Sequence, residues 1–276
     1  MPNPTEVAII KRDGSIFGVY TTYTTARIDA VSGDLIQIRS DLNEQIVLKN
    51  GVDIWIMPGV VVNNTSGITI VDVVSGTFQE VHCKIYGEGI IKNTGGYSGI
   101  FINNSSSELS IECDYIEGTS SGTSLFRTIY ISQASRFDLK CNYILSKSVA
   151  LQLGTFGGGS VFNVVQDANI NVLKVETGDS NSTIIGTSIV TYSNGFMKIN
   201  EILCKNRGHC VLHVAGSMLA RIGKATTVRA NLNFESTINI GQPGQTNGTE
   251  KLIMYFDEIL SLGSGSFLSF KWYSNW

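Results

Sequence analysis

MKINEILC (residues 197–204) and MYFDEILS (residues 254–261) are nearly the same eight residues, 57 positions apart. Met197 aligns with Met254, Ile199 with Phe256, Glu201 with Glu258, Ile202 with Ile259 and Leu203 with Leu260. With Ile202 and Ile259 as anchors, similar local patterns surround Val61, Ile90, Ile116, Ile144, Val175 and Ala225. The eight anchors are separated by 29, 26, 28, 31, 27, 23 and 34 residues. Self-similarity at a nearly fixed period is the mark of stacked repeats.

Each unit holds short runs that alternate apolar and polar residues, such as SGIFINN (98–104), RTIYISQ (127–133) and CVLHVAG (210–216). Strict alternation over four to six residues predicts strands with one buried face. Three such strands joined by turns form one coil, and one coil cannot bury its own inward face. Stacked coils can, because each strand then pairs with those above and below, ~4.8 Å away. The column three residues before the anchor reads Cys113, Cys141, Val172, Ile199, Ile222, Phe256, as an interior row should. The column just before the anchor reads Tyr115, Tyr143, Lys174, Glu201, Lys224, Glu258. Its alternating charges fit outward cross-strand pairs, each worth roughly 0.2–1 kcal/mol. The expected fold is all-β, a single-stranded right-handed parallel β-helix of about eight coils. Residues 1–50 lack the repeat and are expected to form an N-terminal cap and first strand, with TYTTARIDAVSGDLIQI holding a short helix. Residues 51–276 are expected to form the helix proper.

Composition agrees. The chain has 29 Gly and 4 Pro and is only 16% charged, which favours strands and turns. Net charge is −3 and no Lys/Arg run occurs, so nucleic acid is not an expected partner. No apolar stretch is long enough to insert in a membrane, and MPNPTEVAIIKRDGSIFG lacks the pattern of a signal peptide. Five Cys are too few, and odd in number, for a disulfide scaffold. CKNRGHCVLH (204–213) offers Cys and His, but at looser spacing than paired zinc motifs, and reads better as a turn leading into a strand. No metal or other cofactor is expected.

SGDLIQIRSDLNEQIVLKNGVDIWIMPGVVVNN (32–64) resembles the first coils of pectin-lyase-like right-handed β-helix proteins. There a GD-I-I strand leads to an acidic turn and then to I-L-NGV-I-I-PGV. The resemblance implies the fold; the superfamily holds polysaccharide lyases, glycosidases, esterases and non-enzymatic virion proteins. The compact size and Asn/Ser/Thr/Gly-rich turns look like β-helix proteins of bacteriophage particles, namely tail fibres, tailspikes and head decoration. That likeness implies a homotrimer in contact with other virion proteins and with cell-surface polysaccharide. It places the chain in the virion, or, as the alternative, outside the cell as a secreted protein.

A search for chemistry yields few residues. Glycoside hydrolysis uses two carboxyls about 5–10 Å apart. In the aligned columns Glu88 and Asp114 would be neighbours, making them the catalytic candidates; the plainer reading is two outward polar residues near turns. GTFGGGS (154–160) precedes a strand and lacks the Lys-Ser/Thr of a phosphate cradle. This excursion and the one at 116–131 would line one flank, where loops carry function more often than scaffold does. Glu117, Arg127 and Phe156 are the binding candidates there. The leading expectation is a non-enzymatic virion component. A polysaccharide lyase or glycoside hydrolase is the alternative, and a bacterial adhesion module a third.

Overall fold

The computed structural model describes the chain except residues 1–5, 75, 96–97, 120–125, 157–161, 179–186, 206–208, 229–235, 241–251, 263–265 and 271–276. Among the described residues there are 25 strands and one short helix, so the all-β expectation holds. Almost all pairing is parallel, between strands one repeat apart.

Three inward columns explain why the units stack. The first runs Ile36–Ile54–Ile85–Ile111–Leu139–Ile170–Met197–Ala220–Met254, each residue the direct partner of the next. The second runs Leu42–Val62–Ile91–Ile116–Ile144–Val175–Ile202–Ala225–Ile259. The third runs Ile46–Ile70–Ile100–Ile129–Leu151–Ile189–Val211 and continues in register to Ile238 and Leu268. Nearly all the described members are buried in one continuous core. Burying an Ile, Leu or Val side chain is worth about 1.5–3 kcal/mol, so each added unit stabilises its neighbours.

A polar column sits at the bend between the second and third inward rows: Asn64, Asn93, Gly118, Ser146, Thr177, Cys204, Thr227. Several of these side chains satisfy the backbone where the chain turns. Asn64 Nδ2 donates to the Ile68 carbonyl at 2.7 Å and Asn93 Nδ2 to that of Gly67 at 2.7 Å. Ser146 Oγ donates to the Val149 carbonyl at 3.0 Å.

The helix Tyr23–Asp29 closes one end of the core. Thr22 caps it, accepting from the Thr25 amide, and Glu44 accepts from the Tyr23 and Thr24 amides. At the other end Lys49 Nζ donates to the carbonyls of Arg27, Ile28 and Ala30. An anion at the N-terminus and a cation at the C-terminus match the helix dipole. Tyr23 and Ala26 are buried on the core side. Val7–Ile10 pairs antiparallel with Leu35–Ile38 and with Ile16–Tyr20, covering the ladder edge that would otherwise be open. Residues 35–47 already pair within the same ladders as the units after residue 51.

The expected register needs one correction. From Ile116 onward the anchors align as read, and Val61 faces Ile90. Ile90, however, faces Tyr115, and it is Ile91 that faces Ile116. Tyr86 pairs with Glu112, so three residues, Gly87 to Glu88 to Gly89, lie opposite two, Cys113 and Asp114. The extra residue is absorbed at Gly87, whose φ of 120° disfavours any other side chain. The alternating Lys/Glu column is in register as expected, and Lys224 meets Glu258 at 3.1 Å. Lys174 instead turns along its own strand to Glu176, at 3.4 Å.

Candidate functional site: the outward face of the long ladder

Because alternate residues of each strand point away from the core, the inward columns force a set of outward ones. One of these reads Gln37, Trp55, Tyr86, Glu112, Lys140, Asn171, Lys198, Arg221, Tyr255. Its neighbour reads Lys84, Ser110, Asp138, Asn169, Phe196, Leu219, Ile253.

In the early units this face is internally paired. Trp55 and Tyr86 stack with centroids 6.5 Å apart, and Lys84 Nζ lies 5.2 Å from the Tyr86 ring. Glu112 is gripped by Lys140 at 2.5 Å and reached by Lys84 at 3.5 Å. The hydrogen bond from Lys140 holds the Glu112 carboxyl below its ordinary range. Arg136 pairs with Asp138 at 2.9 Å, and His82 with Glu80 at 2.7 Å. Burial alone would raise the Glu176 carboxyl; hydrogen bonds from Lys205 and Tyr143 outweigh it and hold it low.

The catalytic candidates lie in this region. Glu88 and Asp114 are exposed and line one concavity of about 400 Å³ with Glu112, Lys140 and Asn142. Asn142 Nδ2 donates to Asp114 Oδ1. Sequence reasoning placed the two carboxylates together but missed Lys140, although Glu112 and Lys140 stand at one column offset with opposite charges. Cys113 and Cys141 also line the concavity.

The binding candidates separate. Glu117 lies on the long ladder and pairs with Lys92 at 3.2 Å. Arg127 lies on the other ladder, where Nε donates to Gln152 and the guanidinium carbon sits 4.6 Å from the Tyr130 ring. Tyr130 stacks on Phe101 at 5.1 Å, and Phe101 meets Phe78 edge-on at 5.6 Å. Thr155–Phe156 pairs antiparallel with Phe162–Asn163, while residues 120–125 and 157–161 of the two excursions lie outside the described residues. CKNRGHCVLH splits as well. Cys210 is buried, with Sγ 3.3 Å from the Thr226 carbonyl. His213 is buried between Thr191 Oγ1 at 2.7 Å and the Gly216 carbonyl at 3.1 Å. Burial depresses the His213 imidazole to about 4, so it is neutral at physiological pH. Among the described residues, no cluster of three His, Cys, Asp or Glu could hold a metal. No described helix is long and apolar enough to cross a membrane.

In the late units the outward face changes character. Phe196, Leu219, Ile253 and Tyr255 are 37%, 41%, 51% and 60% exposed and occupy two adjoining columns. Phe196, Leu219, Arg221, Tyr255, Phe256 and Asp257 surround a concavity of about 520 Å³. Lys198, Asn200, Arg221 and Asp257 line an adjoining one of about 430 Å³. The strip was missed in the sequence because each member precedes a buried or partly buried apolar residue, as in Phe196-Met197, Leu219-Ala220 and Ile253-Met254. Such pairs read as one apolar run, and only the period of two separates their faces.

No protein-family model, curated protein or solved structure matches the chain.

Proposed function

We propose that the chain is a right-handed parallel β-helix of about eight coils with an N-terminal cap, serving as a non-enzymatic structural component of a bacteriophage particle. In this reading it is a fibre, spike or decoration protein that assembles as a homotrimer and binds cell-surface polysaccharide. The observation that carries the binding role is the late outward face. Exposed Phe196 and Tyr255 offer ring faces beside Arg221, Asn200 and Asp257. Sugar rings stack their C–H faces on aromatics while hydroxyls and carboxylates take up such polar groups. The trimer and the virion location are carried over from the likeness of the compact size and the Asn/Ser/Thr/Gly-rich turns to β-helix proteins of phage particles.

Titration against a panel of bacterial surface polysaccharides tests the reading. Binding that falls at least about tenfold in Tyr255→Ala/Arg221→Ala, with unchanged folding, supports it. The alternative, a glycan-cleaving enzyme, draws on the shared concavity of Glu88 and Asp114. Release of reducing ends from any polysaccharide, abolished in Glu88→Gln or Asp114→Asn, would move the chain to that class. Light scattering tests the assembly: a stable mass near three times 29.9 kDa supports the virion reading, and a monomer counts against it.

A further inference from the structure

We propose that Cys113 and Cys141 are a reactive pair that closes into a disulfide joining two neighbouring repeat units when the protein meets a low-molecular-weight disulfide such as oxidised glutathione. The two residues are direct partners in the parallel ladder, and their sulfurs lie 4.0 Å apart with no bond between them. Adjacent strands run about 4.8 Å apart, inside the Cα separation of about 4.4–6.8 Å that a disulfide spans. Closing the bond requires side-chain rotation and no change of register.

Access comes from the bulge in the previous unit. Gly87 and Glu88 line the same concavity as both cysteines, beside Lys140 and Asn142. Both residues are buried, Cys113 7% and Cys141 3% exposed. The neighbouring Cys141 sulfur and burial push the Cys113 thiol well above its ordinary value, so the reaction speeds up with rising pH. The other cysteines stand apart from this pair: Cys83 faces Leu109 in a different column, and Cys204 and Cys210 lie in later units.

The chemistry balances. One thiolate attacks a sulfur of oxidised glutathione, forming a mixed disulfide and releasing one glutathione. The second thiolate then displaces the bound glutathione and forms the S–S bond. The protein loses two electrons and two protons; the oxidant's S–S bond is reduced, and the protons end on two glutathione thiols.

The experiment incubates the folded, full chain with oxidised glutathione at mildly alkaline pH, then alkylates in denaturant and maps peptides without reduction. The expected result is loss of two of the five thiols, a mass lower by two hydrogens and a single link between Cys113 and Cys141. In Cys141→Ser the reaction should stop with one glutathione retained on Cys113. Five titratable thiols after incubation, a persistent glutathione adduct on the wild-type chain, or a link elsewhere such as Cys204 to Cys210 would each overturn the proposal. The wild-type peptide map decides the matter even if the serine variant does not fold.

Discussion

The early and late outward faces of the long ladder share one backbone and spend it differently. From Lys84 to Lys140 the charges of one unit meet opposite charges of the next, as Glu112 does with Lys84 and Lys140. From Phe196 to Asp257 the same columns hold bare rings and aliphatic groups, and among the described residues Lys198, Arg221 and Asp257 make no ion pair. Exposed ion pairs contribute little, so the early face is not much the stabler for its pairing. What differs is what is left to offer. The early face pairs its charges, whereas the late face leaves apolar area and, among the described residues, charges without an ion pair for another molecule.

The strongest way to break this comparison is through the shared backbone. A Cβ at Gly87 would come 2.0 Å from the Ile56 carbonyl oxygen, and one at Gly195 2.0 Å from that of Ala168, both at positive φ. Gly87→Ala in the early half and Gly195→Ala in the late half should each cost about 2–4 kcal/mol in denaturant unfolding. If either is silent, the two halves are not built alike. A smaller effect is expected at Asp72, an early carboxylate that is fully buried, with Oδ1 lacking a hydrogen-bond partner among the described residues. Burial raises its pKa from 3.8 to about 6. The folded state therefore holds this proton more tightly than the unfolded one. Asp72 favours folding most below about 4, and that contribution is lost as pH rises through about 6. Relative to Asp72→Asn, the wild-type chain should lose about 1–3 kcal/mol across that window. A flat difference in melts at successive pH values would refute the assignment. The smallest effects are on the two faces themselves. Glu112→Gln should cost about 0.5–1 kcal/mol, less at high salt, and Leu219→Ser about 0.5 kcal/mol or less. If Leu219→Ser is the more damaging, the late strip serves the fold itself and the contrast between the faces fails.

Much of the fold was legible because the period is so even between Cys113 and Cys141: 28 residues of chain bring Cys onto Cys, Tyr115 onto Tyr143 and Ile116 onto Ile144. The slip before Ile116 was not legible. Ile90 and Ile91 are both apolar, and the added residue shows only in the conformation of Gly87. Glu88 and Asp114 could be placed near each other because column and strand spacing determine distance. Glu117 and Arg127 could not, because chain direction changes between them and each falls on a different ladder. The late strip needed knowledge of which of two adjacent apolar residues faces out, and that is set by partners in the neighbouring units.

The in-register columns also bear on how the chain reaches its fold. Partners such as Ile111 and Leu139, or Ile170 and Met197, are 28 and 27 positions apart, about a tenth of the 276-residue chain. Sheet proteins usually fold slowly because their strands must find partners far along the sequence. Here each closure spans one short loop, and each unit finds its template in the one already formed. Such a chain can be laid down in order as it leaves the ribosome, with no long search and only one growing edge exposed at a time.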